Sequence, residues 1–293
     1  MSTRKWIVAA VAVLLGLCVL LAVVAVPRTP AAQTADVAIL MYHAFTEDEA
    51  DTGSLYTPAS EFARQLSALR DAGYTSVGYA DLIEFVNGEG KLPEKPLLIS
   101  IDDGYQNNLD LAAPLLEKYG FCANIAVIGV SIGRTTYKDT DIPITPHFSL
   151  EDVRPWIARG VLTVTTHSYD MHQVAAVDGA GCRRGVLQMR GEAEPDYIAA
   201  LTQDYTRAQE QLSGLPGTPL PVFTYPFGAY SGLSERVLQA LGVQVTVTTE
   251  GGANRLVKGE PETLRLLHRI HVWRGTKPDM LLSRIDAALQ ALR

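Results

Sequence analysis

The sequence predicts an α/β fold of the (β/α)-barrel kind, and three observations carry that expectation. Continuous apolar, β-prone runs alternate with amphipathic helical patterns, as in a mostly parallel sheet covered by helices. After residue 36 no internal repeat, low-complexity tract or second linker interrupts the chain of 293 residues, so one domain of about 250 residues is the economical reading. Polar or turn-forming residues follow four of the apolar runs, at His43, Asp102-Asp103, His167 and Pro226-Phe227-Gly228. Barrels of this kind gather their functional groups at the carboxyl ends of their strands.

The elements follow in order. Residues 37–42 read as a strand, and Thr57-Pro58 offers an N-cap and first-turn proline for a helix striped by Phe62, Leu66 and Leu69. Residues 97–101 form the next strand; Leu109, Ala112, Leu115, Leu116 and Tyr119 then line a helix that leads to a strand at 123–128. Ser149 caps a helix with the stripe Leu150, Val153 and Ile157, and a strand follows at 161–166. Residues 195–212, 234–241 and 278–292 read as helices, and 222–225, 243–248 and 269–273 as strands. The stretch 173–194, with Arg183, Arg184 and Arg190, reads as a surface excursion beside the cleft.

The amino terminus carries a different message. Arg4 and Lys5 precede an uncharged apolar stretch at residues 6–26, which as a helix reaches roughly 32 Å, enough to cross a bilayer core. A cleavable signal peptide has an apolar region of only about 7 to 15 residues, so an uncleaved signal anchor is expected. Its basic flank places residues 1–5 in the cytoplasm and everything beyond the span outside, with secretion after cleavage as the alternative. Residues 27–35 then form a Pro- and Ala-containing linker to a domain at 36–290. A net charge of -7 argues against a nucleic-acid binder, which needs a basic face. Cys18 falls inside the span; Cys122 and Cys182 show no metal-ligand spacing and are readable either as a disulfide or as free thiols.

Chemistry is announced by Asp102-Asp103-Gly104 at the end of the run Pro96-Leu97-Leu98-Ile99-Ser100-Ile101. Two adjacent carboxylates at the end of a buried strand cannot both point into the core. In isolation the triplet reads as a turn with one Asp capping the next helix. His167 and His172 change that reading. In a regular helix their spacing is about 500°, off any one face, so a shared metal requires a loop. Two histidines with an aspartate leave an open metal position, which is a catalytic rather than a structural arrangement. The second aspartate is then available as a base.

Ser100-Ile101-Asp102-Asp103-Gly104, His167-Ser168 with His172, and Tyr225-Pro226-Phe227-Gly228 resemble, in that order, the motifs of the polysaccharide deacetylase (NodB-homology) family of metal-dependent carbohydrate esterases. The histidine spacing and Leu40-Met41-Tyr42-His43 resemble most the branch acting on poly-N-acetylglucosamine of bacterial biofilms. The resemblance implies a deformed (β/α) barrel of about seven strands. It makes Asp102 the general base, and Asp103, His167 and His172 the ligands of a divalent metal, zinc above all. It points to the Phe227 amide as an oxyanion donor, with Tyr225, Pro226 and Gly228 around it, and to His43 as the acid that protonates the leaving amine. His268 and His271 are later candidates for that acid, otherwise readable as a solvated strand edge, while His147 reads as an ordinary loop histidine. The family often has an arginine where Thr224 stands; Arg269 is the candidate to orient Asp102 in its place. Tyr225 and Phe227 are the aromatics expected to meet sugar, ahead of Tyr169 and Tyr230. The implied partners are an N-acetylated polysaccharide and, through residues 6–26, a bacterial membrane. The competing readings are an O-acetyl esterase on a glycan such as xylan and a surface carbohydrate-binding protein without catalysis.

Overall fold

A computed structural model describes residues 33–48, 55–217 and 219–293. The expected membrane span lies outside them, and no helix among the described residues is long and apolar enough to cross a membrane. Residues Thr34–Arg293 form one compact unit.

The sheet is built from β1 (Thr34–Tyr42), β5 (Pro96–Asp103), β6 (Ala123–Val127), β7 (Leu162–Thr166), β8 (Val222–Thr224) and β9 (Val245–Val247), paired in that order and all parallel. A short seam closes the ring. The Leu267 N–H donates to Thr246 and the Thr248 N–H to Leu267, and the chain then enters β11 (Ile270–His271), parallel to β1 at Leu40 and Met41. The curled sheet of seven strands with its helices is consistent with the deformed (β/α) barrel that the family resemblance implies. β10 (Ala253–Val257) departs from the parallel pattern, running antiparallel to the first half of β1. Two short strands, β2 (Ala44–Thr46) and β3 (Tyr56–Pro58), pair beside the barrel, and β4 (Thr75–Ser76) extends it next to β5.

Alternation along the strands sorts side chains between two cores. Ala38, Leu40 and Tyr42 of β1, with Leu97, Ile99 and Ile101 of β5, pack outward against a helical layer. That layer includes Phe62, Leu66 and Leu69 of α1 (Ala59–Asp71) and Leu281 and Ile285 of α8 (Pro278–Gln290). Val37, Ile39, Leu98, Val222 and Val245 form a second cluster with Tyr79, Leu82 and Phe85 of α2 (Tyr79–Val86). α2 follows β4, which pairs with the start of β5, so this apolar cluster lies at the amino-terminal end of the strands. The carboxyl end is left to polar groups.

Between β5 and β6 a π-helical turn (Asn108–Ala112) precedes α3 (Ala113–Tyr119), splitting the single helix expected there. α4 (Leu150–Ala158) is capped as predicted, with Ser149 Oγ accepting from the Asp152 N–H. Thr57, by contrast, lies in β3 and caps nothing: α1 begins after Pro58 without a side-chain cap. The excursion at 173–194 is firmer than a solvated loop. It contains α5 (Ala175–Asp178), buries Val186, and pairs the buried Arg183 with Glu192 before α6 (Glu194–Leu212) and, beyond β8, α7 (Gly232–Ala240). Cys122 and Cys182 are both free thiols.

Candidate active site

The alternation that places Leu98 and Ser100 inside the barrel places Asp102 there too, and by the same rule Asp103 belongs to the helix side. The backbone breaks the rule. Asp103 takes φ 75°, in the left-handed region, so its carboxylate swings to the barrel mouth instead of under the helices. Gly104 follows at φ 85°, where a Cβ would come within 2.8 Å of Val127 Cγ1. Ser168 and Phe227 also have positive φ, so three of the five such non-glycine residues described stand at this mouth. Strain of this kind, about 1–3 kcal/mol per residue, persists where the surrounding structure fixes the geometry and is concentrated at functional sites.

Asp103 Oδ1 lies 3.7 Å from His167 Nε2 and 3.7 Å from His172 Nε2. It is buried and accepts no hydrogen bond. His167 donates from Nδ1 to the Thr224 carbonyl at 2.8 Å, which turns its Nε2 lone pair towards Asp103. Burial pushes its pKa down to about 4, so the imidazole is neutral, as a ligand must be. The five-residue spacing is met by a tight loop. The Tyr169 and Asp170 N–H groups both donate to the carboxylate of Asp204, on α6, which brings the His167 and His172 rings to 5.1 Å. The three ligand atoms lie within 4.8 Å of one another. An orphaned carboxylate oxygen facing the Nε2 atoms of two imidazoles fits a divalent metal.

Asp102 has other company. Arg269, 0% exposed, reaches it from the seam between β9 and β1, with Nη1 2.7 Å from Asp102 Oδ1 and 3.0 Å from Ser100 Oγ. Arg269 Nε donates to the Thr248 carbonyl, which fixes the guanidinium. Burial works to raise the Asp102 pKa, but Arg269 and then His167 and His43 outweigh it and hold the carboxyl well below its usual range. His43, half-buried at the end of β1, places Nε2 3.9 Å from Asp102 Oδ2. The mouth thus brings together a carboxylate held ionised, an imidazole beside it, and a metal-ligand triad.

The remaining expected residues divide. Phe227 is 41% exposed with its ring 4.2 Å from that of His172, and so is free to meet a ligand. Tyr225 is not: it is fully buried and donates to Glu235, so the expected sugar contact is corrected to a packing role. Pro226 is buried, and Gly228 has φ 64°, where a Cβ would collide with Thr249. His268 is half-buried and paired with Glu250. His271 is more than a solvated edge, standing 5.9 Å from the His43 ring and 5.7 Å from Trp273, which is 42% exposed. His147 is buried in the mouth wall, against the reading of it as an ordinary loop residue. Asp204 and Trp273 escaped the sequence reading: a lone acid within a helix and a lone aromatic near the end of the chain have no motif around them.

Fold and site together describe a (β/α)-barrel hydrolase. The chain belongs to the polysaccharide deacetylase family, which it matches over residues 89–246. It is 26% identical over 255 residues to YxkH of Bacillus subtilis (strain 168), across 87% of this chain and 76% of that protein. It is 23% identical to the poly-β-1,6-N-acetyl-D-glucosamine N-deacetylase of Escherichia coli (strain K12) over 226 residues, 73% of this chain but only 34% of that relative. A solved de-N-acetylase from Aggregatibacter actinomycetemcomitans shares the fold, with a TM-score of 0.71 at 19% identity over 85% of this chain and 100% of that one.

Proposed function

We propose that this protein hydrolyses N-acetyl groups from an N-acetylglucosamine-containing polysaccharide, using a divalent metal, most simply zinc, held by Asp103, His167 and His172. The observation that carries this reading is the division of labour within one dipeptide: Asp103 faces the Nε2 atoms of two imidazoles, and Asp102 is held ionised by Arg269 within 3.9 Å of His43. A bound divalent ion supplies positive charge that acidifies a water and polarises a carbonyl.

Asp102 then takes the proton from the attacking water. The Phe227 amide stabilises charge on the carbonyl oxygen, and His43 gives a proton to the departing nitrogen. That last role favours an amide over an ester, because an amine leaves only when protonated and an alcohol depends on it less. The named substrate of the E. coli relative supports the polymer class. The apolar stretch at 6–26, flanked by Arg4 and Lys5, supports an anchored, extracytoplasmic location with the barrel outside.

The test is acetate release from poly-N-acetylglucosamine, chitooligosaccharides, peptidoglycan and acetylxylan, with and without chelator. Chelator-sensitive release from one of the N-acetylated polymers is expected. Release from acetylxylan alone points to an esterase, and release from none refutes the proposal.

A further inference from the structure

A cavity of ≈280 Å³ opens beside His172, between the excursions that follow β6 and β7. Ile128, Val130, Ile142, Pro143, Val174 and Val177 give it an aliphatic wall, which Tyr105, Tyr137, Ser131 and Thr145 complete with polar groups. The two excursions are latched together. Lys138 Nζ lies 2.7 Å from Asp170 Oδ1 and 2.9 Å from Asp178 Oδ1, and Asp178 also accepts from the Tyr137 hydroxyl and the Val174 N–H. The pocket is therefore held in shape by the protein itself.

The His147 ring stands in its lining, 4.8 Å from the ring of Tyr105. His147 is 9% exposed, and neither ring nitrogen is hydrogen-bonded. A buried polar group left unbonded is costly and needs an explanation. Burial lowers its pKa, so the ring is neutral and offers one donor and one acceptor.

The reaction's own geometry says what enters. In the reading above, the departing amine and its sugar stand by His43, at the end of β1. A substrate whose nitrogen meets His43 would extend its acyl substituent past His172, which belongs both to the candidate metal triad and to the lining of this cavity. The space far exceeds the methyl of an acetyl group, and aliphatic walls interrupted by Ser131, Thr145 and His147 suit an acyl chain that carries a hydroxyl. We propose that the cavity is an acyl pocket that admits N-acyl groups longer than acetyl, with His147 hydrogen-bonding a hydroxyl on the chain. The step is ordinary hydrolysis: water adds to the acyl carbon, the C–N bond breaks, the nitrogen takes a proton, and a carboxylate and a free amine leave.

The inference rests on the deacetylase reading, and the test separates the two. The metal-loaded full chain is given chitooligosaccharides bearing N-acetyl, N-butyryl or N-glycolyl groups, and the released acid is quantified. The expected kcat/KM for the longer groups lies within about 10-fold of that for acetyl, the range set by a methylene or two in a fitted pocket. Ile142 is 44% exposed, so a tryptophan there need not disturb the core. Ile142→Trp should lower butyryl turnover about 10-fold more than acetyl turnover, and His147→Leu should penalise glycolyl over butyryl by a similar factor. Acetyl turnover with butyryl and glycolyl both more than about 100-fold slower overturns the pocket alone. Equal losses on all three groups in both variants overturn it too. If acetylated chains are also inert, the deacetylase reading falls and the pocket inference with it.

Discussion

Asp102 and Asp103 are chemically identical neighbours with opposite surroundings. Asp102 lies inside the barrel against the fixed guanidinium of Arg269, where its charge is held by the protein. Asp103 turns out of register to the mouth, where its Oδ1 faces only imidazoles. One residue type thus gains two environments from one backbone torsion and one arginine. An ion pair keeps a carboxylate available for a proton, whereas an orphaned oxygen awaits a cation.

The sharpest way to break this contrast is to neutralise each carboxylate in turn. Asp102→Asn should lower kcat by about 10²- to 10⁴-fold, the range of a lost general base, while metal content measured on the purified protein stays at the wild-type level. Asp103→Asn should do the reverse: metal affinity falls by about 100-fold or more, and excess metal restores part of the activity. If both variants lose metal equally, the two roles are not distinct.

Arg269→Met attacks the support of Asp102. Removing one partner of a buried pair leaves an uncompensated charge, so a stability loss of about 3–5 kcal/mol is expected in denaturant titrations. With the guanidinium gone, the Asp102 pKa rises, and the acid limb of the kcat/KM profile should move to higher pH. An unmoved limb would show that Arg269 is structural only.

The smallest effect concerns Asp204, which holds the loop carrying the two histidines. Burial raises its pKa to about 6, above the ~3.9 of an unfolded chain. Between those values the native state binds more protons, so wild type should gain stability over Asp204→Asn as pH falls from 7 to 4, by on the order of 3 kcal/mol. Chemical denaturation of both proteins across that range measures it. A constant difference would remove Asp204 from the titration.

Much of the fold was legible because continuous apolar strands and amphipathic helices leave periodic traces, and the strand ends at His43, Asp102 and His167 emerged from them. What escaped were elements too short or too mixed to show a period: the eight-residue α2, the antiparallel β10 and the pair β2–β3. Tyr225 misled for a related reason. An aromatic in a motif reads the same whether it faces the cleft or, as here, donates to Glu235 beneath it.

By itself the sequence determined the barrel, the family's motifs in order, and the residue types that chemistry at the mouth requires. These are local: periodicity, turn chemistry and spacing are written along the chain. Only the tertiary structure decided that Asp103 breaks register, that Arg269 crosses 167 positions of chain to meet Asp102, and that the His147 ring nitrogens make no hydrogen bond beside His172. The physical reason is that a pair distance and a side chain's burial belong to the closed barrel. No segment of the chain contains either one until the seam between β9 and β1 has formed.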